Sequence, residues 1–131
     1  MSPLPIRSIT TAPDLHGVRV LVRSSINVPI DGETVQNQFR VTRGLATINY
    51  LIAQGARVIM VGHIGRSGEQ STKPIAELLQ QYIPITHSPE ITGSTSRNLV
   101  DQLAPGEVLL LENVRRDPRE TVNDQELARE F

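Results

Sequence analysis

The sequence predicts an α/β fold, a Rossmann-like three-layer α/β/α arrangement around a mainly parallel sheet. Short apolar runs rich in β-branched residues recur at 18–23, 58–61 and 107–111. That composition suits strands buried on both faces. Between them lie stretches whose apolar residues recur at spacings of three and four, the period of an amphipathic helix. Strand and helix therefore alternate along the chain. Right-handed crossovers convert such an order into a parallel sheet with helices on both faces.

Each element has its own signals. Residues 1–17 form a polar lead-in containing Pro3, Pro5 and Pro13, and Asp14-Leu15-His16-Gly17 reads as a turn. Residues 18–23 are the first strand, with alternation weak enough to predict burial on both faces. Asp31-Gly32 is a turn signal. Residues 38–54 read as one helix, with Val41, Leu45, Ile48, Leu51 and Ile52 on a single face and Gly55 at the C-terminal cap. The second strand, 58–61, follows at once. Residues 65–71 are a small polar loop. Ser71 or Thr72 caps a helix that runs to Tyr82 with Pro74 in its first turn. Residues 83–86 are a short third strand that Pro84 places near a sheet edge. Thr95 or Ser96 caps a helix to Leu103, ended by Pro105-Gly106. Residues 107–111 are the fourth strand. Asn123 caps a last helix over 124–131.

Composition bounds the function. The 131 residues suggest one domain, and a domain of that size buries roughly two-thirds of its unfolded surface. Hydrophobic residues make up 38%, too many for a disordered chain. A net charge of −1 argues against nonspecific nucleic-acid binding. Aromatics at 3%, with no Trp, argue against base stacking. With no cysteine there is neither disulfide nor thiolate chemistry. No run reaches membrane-spanning length and no signal peptide opens the chain, so the expectation is a cytoplasmic protein with no membrane partner. No zinc-ligand spacing, Ser-His-Asp set or Walker loop is readable, and no metal site is expected.

The most informative stretch is Arg57-Val58-Ile59-Met60-Val61-Gly62-His63-Ile64-Gly65-Arg66. A buried strand here ends abruptly in glycines and cations. It delivers them to the carboxyl edge of the sheet, where open α/β folds bind ligands. Glycine permits close backbone approach to a ligand, and arginine offers a planar fork for phosphate or carboxylate. The same topology brings three strand exits together, at 23–27, 62–66 and 112–115. Arg40 joins them from the start of the first helix. The expected product is a cationic rim of Arg40, His63, Arg66 and Arg115, a local anion site in a chain of nearly zero net charge. The plainer alternative is a set of solvated surface arginines and a core histidine.

These residues carry a family resemblance. Arg23-Ser24-Ser25-Ile26-Asn27-Val28-Pro29 resembles the R-V-D-F/Y-N-V-P motif of the amino-terminal domain of phosphoglycerate kinases. Gly62-His63-Ile64-Gly65-Arg66 resembles that family's S-H-L-G-R-P, and Lys73-Pro74-Ile75-Ala76 its L-K-P-V-A. Pro105-Gly106-Glu107-Val108, continuing through Leu111-Glu112-Asn113-Val114-Arg115, resembles its P-G-E-V-L-L-L-E-N-L/V-R. The motifs recur in the family's order over essentially all 131 residues. The resemblance implies that residues 1–131 are a partial substrate-binding domain for 3-phosphoglycerate in a glycolytic kinase. That enzyme moves a phosphoryl group reversibly between 1,3-bisphosphoglycerate and ADP, giving 3-phosphoglycerate and ATP. It implies that His63, Arg66 and Arg115 hold the distal phosphate. Arg40 sits by the reacting carboxyl group as the catalytic residue. Ser25, Ile26, Asn27, Ile64 and Gly65 complete the substrate-binding set. Mg-ATP or Mg-ADP belongs, in the full-length family, to a second domain without counterpart here, and family members are typically monomeric.

The departures define a second reading. Ser25 and Ile26 stand where the family has Asp and an aromatic, Ser67 replaces a proline, and Arg116-Asp117 replaces the usual Phe-His. Ser25 accepts a hydrogen bond without charge, so its contact is weaker. The alternative to a piece of a kinase is a diverged, non-catalytic anion-binding domain. In either case the isolated chain is expected to show no kinase turnover.

Overall fold

The computed structural model describes residues 5–131. A polar turn opens this span: Gly17, at φ +71°, donates to the Gly55 carbonyl, and the His16 amide donates to the Asp14 carboxylate. Strand β1 is Arg19–Arg23. A two-stranded antiparallel ribbon follows, β2 Ile30–Asp31 and β3 Thr34–Val35, turning at Gly32 (φ +63°). Helix α1 is Gln38–Arg43, α2 Leu45–Ala53, β4 Arg57–Val61, α3 Lys73–Leu79, β5 Ile85–His87, α4 Ser94–Asp101, β6 Val108–Leu110 and α5 Gln125–Glu130. Short 3-10 turns lie at Ile9–Thr11 and Val114–Arg116.

The main sheet is wholly parallel, in the order β1-β4-β6-β5. Its registers are Arg19↔Arg57 through Arg23↔Val61, Val58↔Val108 through Met60↔Leu110, and Ile85↔Val108 through His87↔Leu110. Burial explains the order. The uninterrupted apolar strands β4 and β6 are central, whereas β5, beside Pro84, is an edge as expected. Sequence pattern misjudged β1. It is the other edge of the described sheet, Leu21 is 47% exposed, and only Val20 and Val22 are half-buried. Its alternation is therefore real, as an edge strand with one covered face requires.

Helices cover both faces. Val41, Ile48, Leu51, Ile75 and Leu79 pack with Val58, Met60, Val108 and Leu110 on one face. Leu99, Val100 and Leu103 pack with Ile59, Val61, Leu109 and Leu111 on the other. Fully burying a side chain such as Ile48 or Leu51 contributes about 1.5–3 kcal/mol.

The helix expected over 38–54 is broken into α1 and α2. The Gly44 amide turns back to the Val41 carbonyl at 3.2 Å, which interrupts the regular ladder where helix propensity is weakest. Two caps also differ. Thr95 and Ser96 lie inside α4, and the Glu90 carboxylate instead accepts from both of their amides, at 3.0 and 3.4 Å. Asp124, not Asn123, caps α5 by accepting from the Leu127 amide at 3.1 Å. No helix among the described residues is long and apolar enough to cross a membrane.

Candidate anion site at the carboxyl edge of the sheet

The three strand exits meet as the topology requires. Ser24 continues the β1–β4 ladder by donating to the Val61 carbonyl at 2.8 Å, and Val114 donates to the Gly62 carbonyl at 3.1 Å. A Cβ on Gly62 would lie 2.7 Å from the Ser24 carbonyl and 2.8 Å from Ile26 Cγ1. The glycine thus serves the packing of β1 against β4, whereas the sequence reading assigned it to ligand approach. The Asn27 side-chain oxygen accepts from the Gly65 amide at 2.9 Å, tying the first exit to the second. Gly65 itself sits at φ +67°, a conformation only glycine adopts without strain.

Two adjoining cavities open along this edge. One is lined by Arg23, Ser24, Ser25, Ile26, Asn27 and His63. The other, of about 520 Å³, carries Arg23, Ser24, Ser25, Arg40 and Arg43 among its lining residues. Neither lining includes an Asp or Glu. Arg40, Arg43 and Arg66 form no ion pair among the described residues, whereas Arg23, which lines both cavities, reaches the Glu120 carboxylate at 3.4 Å. Guanidinium groups and hydroxyls lining one open edge can receive a phosphate or carboxylate through charge-assisted hydrogen bonds.

The structure sorts the expected residues. Ser25 and Arg40 are exposed and reach the cavities; His63 is half-buried, its Nδ1 3.3 Å from the Gly65 carbonyl oxygen. Arg66 is exposed on the same loop but lines neither cavity. Asn27 keeps its amide NH2 for a ligand, since its oxygen is taken. Ile26 and Ile64, 2% and 1% exposed, are core residues, so only their backbone can serve a ligand. Their apolar side chains belong with the β1–β4 packing. Arg115 departs furthest from expectation. Its Nε lies 2.9 Å from Glu120 Oε2, close enough for an ion pair although not aligned as a hydrogen bond. Arg23 reaches the other oxygen of the same carboxylate at 3.4 Å. Glu120 thus stands where an incoming anion would compete.

Sequence reasoning missed Arg43, Arg23 and Glu120. Arg43 had a readable signal, because it lies three residues from Arg40 and shares its helix face. Glu120, reached through an irregular segment, had none.

Beneath the rim lies a buried polar network. Glu112, 4% exposed, accepts from Ser71 Oγ at 2.6 Å, the Thr72 amide at 2.8 Å and the Asn113 amide at 2.6 Å. Burial alone would raise its pKa, but these hydrogen bonds and nearby Arg116 hold it below the ordinary value. Thr72 Oγ1 donates to the Leu111 carbonyl at 2.8 Å. A hydroxyl has one proton, so the same oxygen accepts from His87 Nε2 at 2.9 Å, which assigns the His87 tautomer. Thr72 therefore does not cap α3; Ser71 Oγ accepts from the Lys73 amide instead. Desolvation lowers the His87 pKa, outweighing the pull of Glu112.

Comparison with known proteins agrees with this architecture. The family model for phosphoglycerate kinase matches residues 9–131. The phosphoglycerate kinase of Fervidobacterium nodosum is 39% identical, over 100% of this chain and 34% of that protein. That of Herpetosiphon aurantiacus is 42% identical, over 88% of this chain and 31% of its own. The solved structure of phosphoglycerate kinase from Coxiella burnetii superimposes with a TM-score of 0.77 at 32% identity, covering 96% of this chain and 32% of that one. The enzyme from Pyrococcus horikoshii OT3 gives 0.70 at 31% identity, covering 82% and 28%. The chain spans about a third of the length of the curated relatives it matches. A fold, a motif order and a family match that agree over nearly the whole chain place it in the phosphoglycerate kinase family.

Proposed function

We propose that this chain supplies the 3-phosphoglycerate site of a phosphoglycerate kinase and acts in reversible phosphoryl transfer between 1,3-bisphosphoglycerate and ADP. Residues 1–131 then act as part of an amino-terminal substrate-binding domain. The observation that carries the reading is the pair of acid-free cavities bearing Arg23, Arg40, Arg43 and His63 beside the Ser24 and Ser25 hydroxyls. His63 and Arg66 take the distal phosphate, joined by Arg115 once an anion displaces Glu120. Arg40 takes the reacting carboxyl end with Arg43 one helical turn away. Ser25 and the Asn27 NH2 contact the hydroxyl-bearing middle, and Gly65 with the Ile26 and Ile64 backbone shapes the floor.

This division suits the chemistry. Phosphoryl transfer needs positioning and neutralisation of developing charge more than covalent help from the protein. Arg40 has no acidic partner among the described residues and is available to a carboxylate or acyl phosphate. A magnesium-bound nucleotide would supply the second substrate. Glu120 pairing with Arg115 is the observation that favours the second reading, a diverged anion-binding domain without chemistry.

The test is a chemical-shift titration with 3-phosphoglycerate. An open site loses much of its charge-assisted contact to screening and association entropy, so the expected affinity is about millimolar. Arg66→Ala should weaken binding roughly tenfold if about 1.4 kcal/mol of its contact is realised. Arg97→Ala, at a different cavity beside α4, should change little. Equal losses in both would indicate diffuse charge attraction and remove the proposed site.

A further inference from the structure

We propose that Asn113 is a positioning residue for the anion site, fixing the loop that presents His63 and Arg66; the inference rests on the site proposed above. Asn113 is completely buried and uses all four hydrogen-bonding positions of its amide. Its oxygen accepts from the Ile64 amide at 3.2 Å and the Arg115 amide at 3.0 Å. Its NH2 donates to the Ile64 carbonyl at 2.8 Å and the Gln70 carbonyl at 2.9 Å. A flipped amide would set donors against donors and acceptors against acceptors, so the orientation is determined by its partners.

The consequence is geometric. Residues 64 and 70 are the two ends of the loop bearing Gly65 and Arg66, and one side chain holds both. The preceding residue, Glu112, takes Ser71 Oγ and the Thr72 amide, closing the same loop at its exit. On its far side the loop rests against the third strand exit. Arg116 Nε donates to the Gly68 carbonyl at 2.9 Å, and a Cβ on Gly68 would lie 2.7 Å from the Arg115 carbonyl. His63 thus precedes, and Arg66 lies within, a segment whose backbone is fixed before any anion arrives. Preorganisation of this kind gains affinity by removing the ordering cost from the binding step.

The experiment uses Asn113→Asp, which keeps the shape but replaces the NH2 donor with an oxygen facing two carbonyls. Thr72→Val is the control, equally buried in the same network but bonded to Leu111, Glu112 and His87 rather than to residues 64–70. Titration with 3-phosphoglycerate, amide hydrogen exchange and thermal melting are measured on both, with wild type and Arg66→Ala alongside. The expected result is about a tenfold loss of affinity in Asn113→Asp, with faster exchange confined to residues 64–70. Thr72→Val should melt lower yet bind as the wild type. A folded Asn113→Asp protein of wild-type affinity overturns the role, as does a loss in Thr72→Val matching that in Asn113→Asp. Should Asn113→Asp not fold, wild-type exchange decides: Ile64 and Arg115 amides protected like those of β4 support the clamp, and rapid exchange there overturns it. Wild type that binds no 3-phosphoglycerate removes the site and this role together, whereas affinity lost in Arg66→Ala but kept in Asn113→Asp removes this role alone.

Discussion

At Gly62 the absence of one methyl group lets β1 and β4 leave the sheet side by side. A Cβ there would meet the Ser24 carbonyl oxygen at 2.7 Å on one side and the buried Ile26 side chain at 2.8 Å on the other, which leaves little room for relief. Gly62→Ala should therefore destabilise by about 1–3 kcal/mol, as overpacking does. Gly65 poses the opposite problem: its Cβ position is open, the nearest atom being 3.8 Å away, but its φ is +67°. Gly65→Ala should cost about 1–2 kcal/mol from the left-handed backbone alone. Urea melts of both variants test this, and a Gly62→Ala midpoint equal to wild type would contradict the packing argument. Glu120 sets the charge of the rim. Freed of it, Arg23 and Arg115 should turn to the anion, so Glu120→Gln is expected to tighten 3-phosphoglycerate binding. Arg23 is exposed although Glu120 is not, and a pair open to solvent on one side is worth about 0.5–1 kcal/mol, or roughly two- to fivefold in affinity. Unchanged or weaker binding in a salt-matched titration would mean that Glu120 does not compete.

At the scale of elements, the exit of β6, the start of α3 and the end of β5 are joined through Glu112, Thr72 and His87. Both titratable members have depressed folded pKa values. For His87 the unfolded chain binds a proton at the ordinary 6.5 while the native state still resists it. Stability therefore falls as pH drops from 6.5 through the folded value. Glu112 has the same sign, with stability fully present above its ordinary 4.5 and lost as pH falls through its lower folded value. Asp117 and Glu130, both held low by Arg119, add to the acid limb only. Lys73, Glu77, Arg116 and Glu112 are the charged groups that bear on His87. His87→Gln should flatten the dependence of Tm on pH between about pH 5 and 7 while leaving the decline below pH 4.5. A wild-type Tm that rises on acidification from pH 7 to 5 would refute the assignment.

For the whole molecule the decisive feature is the open side of β1. Its outer backbone groups have no partner strand in the described sheet, and Leu21 is 47% exposed. Leu21 also borders a cavity of about 350 Å³ where Ile59, Ile91, Val100, Leu111 and Phe131 lie beside the charged Arg19, Arg97, Asp101 and Glu130. An uncovered edge beside apolar surface is a template for pairing. The isolated chain should self-associate, with sedimentation and Tm that depend on concentration. Leu21→Lys, which places a charge on that surface, should reduce association. A sharp, concentration-independent transition of a monomer would count against the prediction.

The sequence by itself determined the order of the four parallel strands and the helices between them, though not the β2–β3 ribbon or the break after α1, and the meeting of three strand exits. These follow from apolar periodicity and right-handed connection, which are local rules. It also marked His63, Arg66 and Arg40 as rim cations, because their positions follow from the ends of elements. Only the tertiary structure decided what each side chain does there. It moved Ile26 and Ile64 into the core, gave Arg115 to Glu120, and made β1 an edge. It also showed that Asn113, unremarkable in a motif, satisfies both ends of the cationic loop. Periodicity reports which face of an element is apolar. It carries no information about which polar group lies across a turn from another, and that pairing determines whether a cation waits for a ligand or is already neutralised.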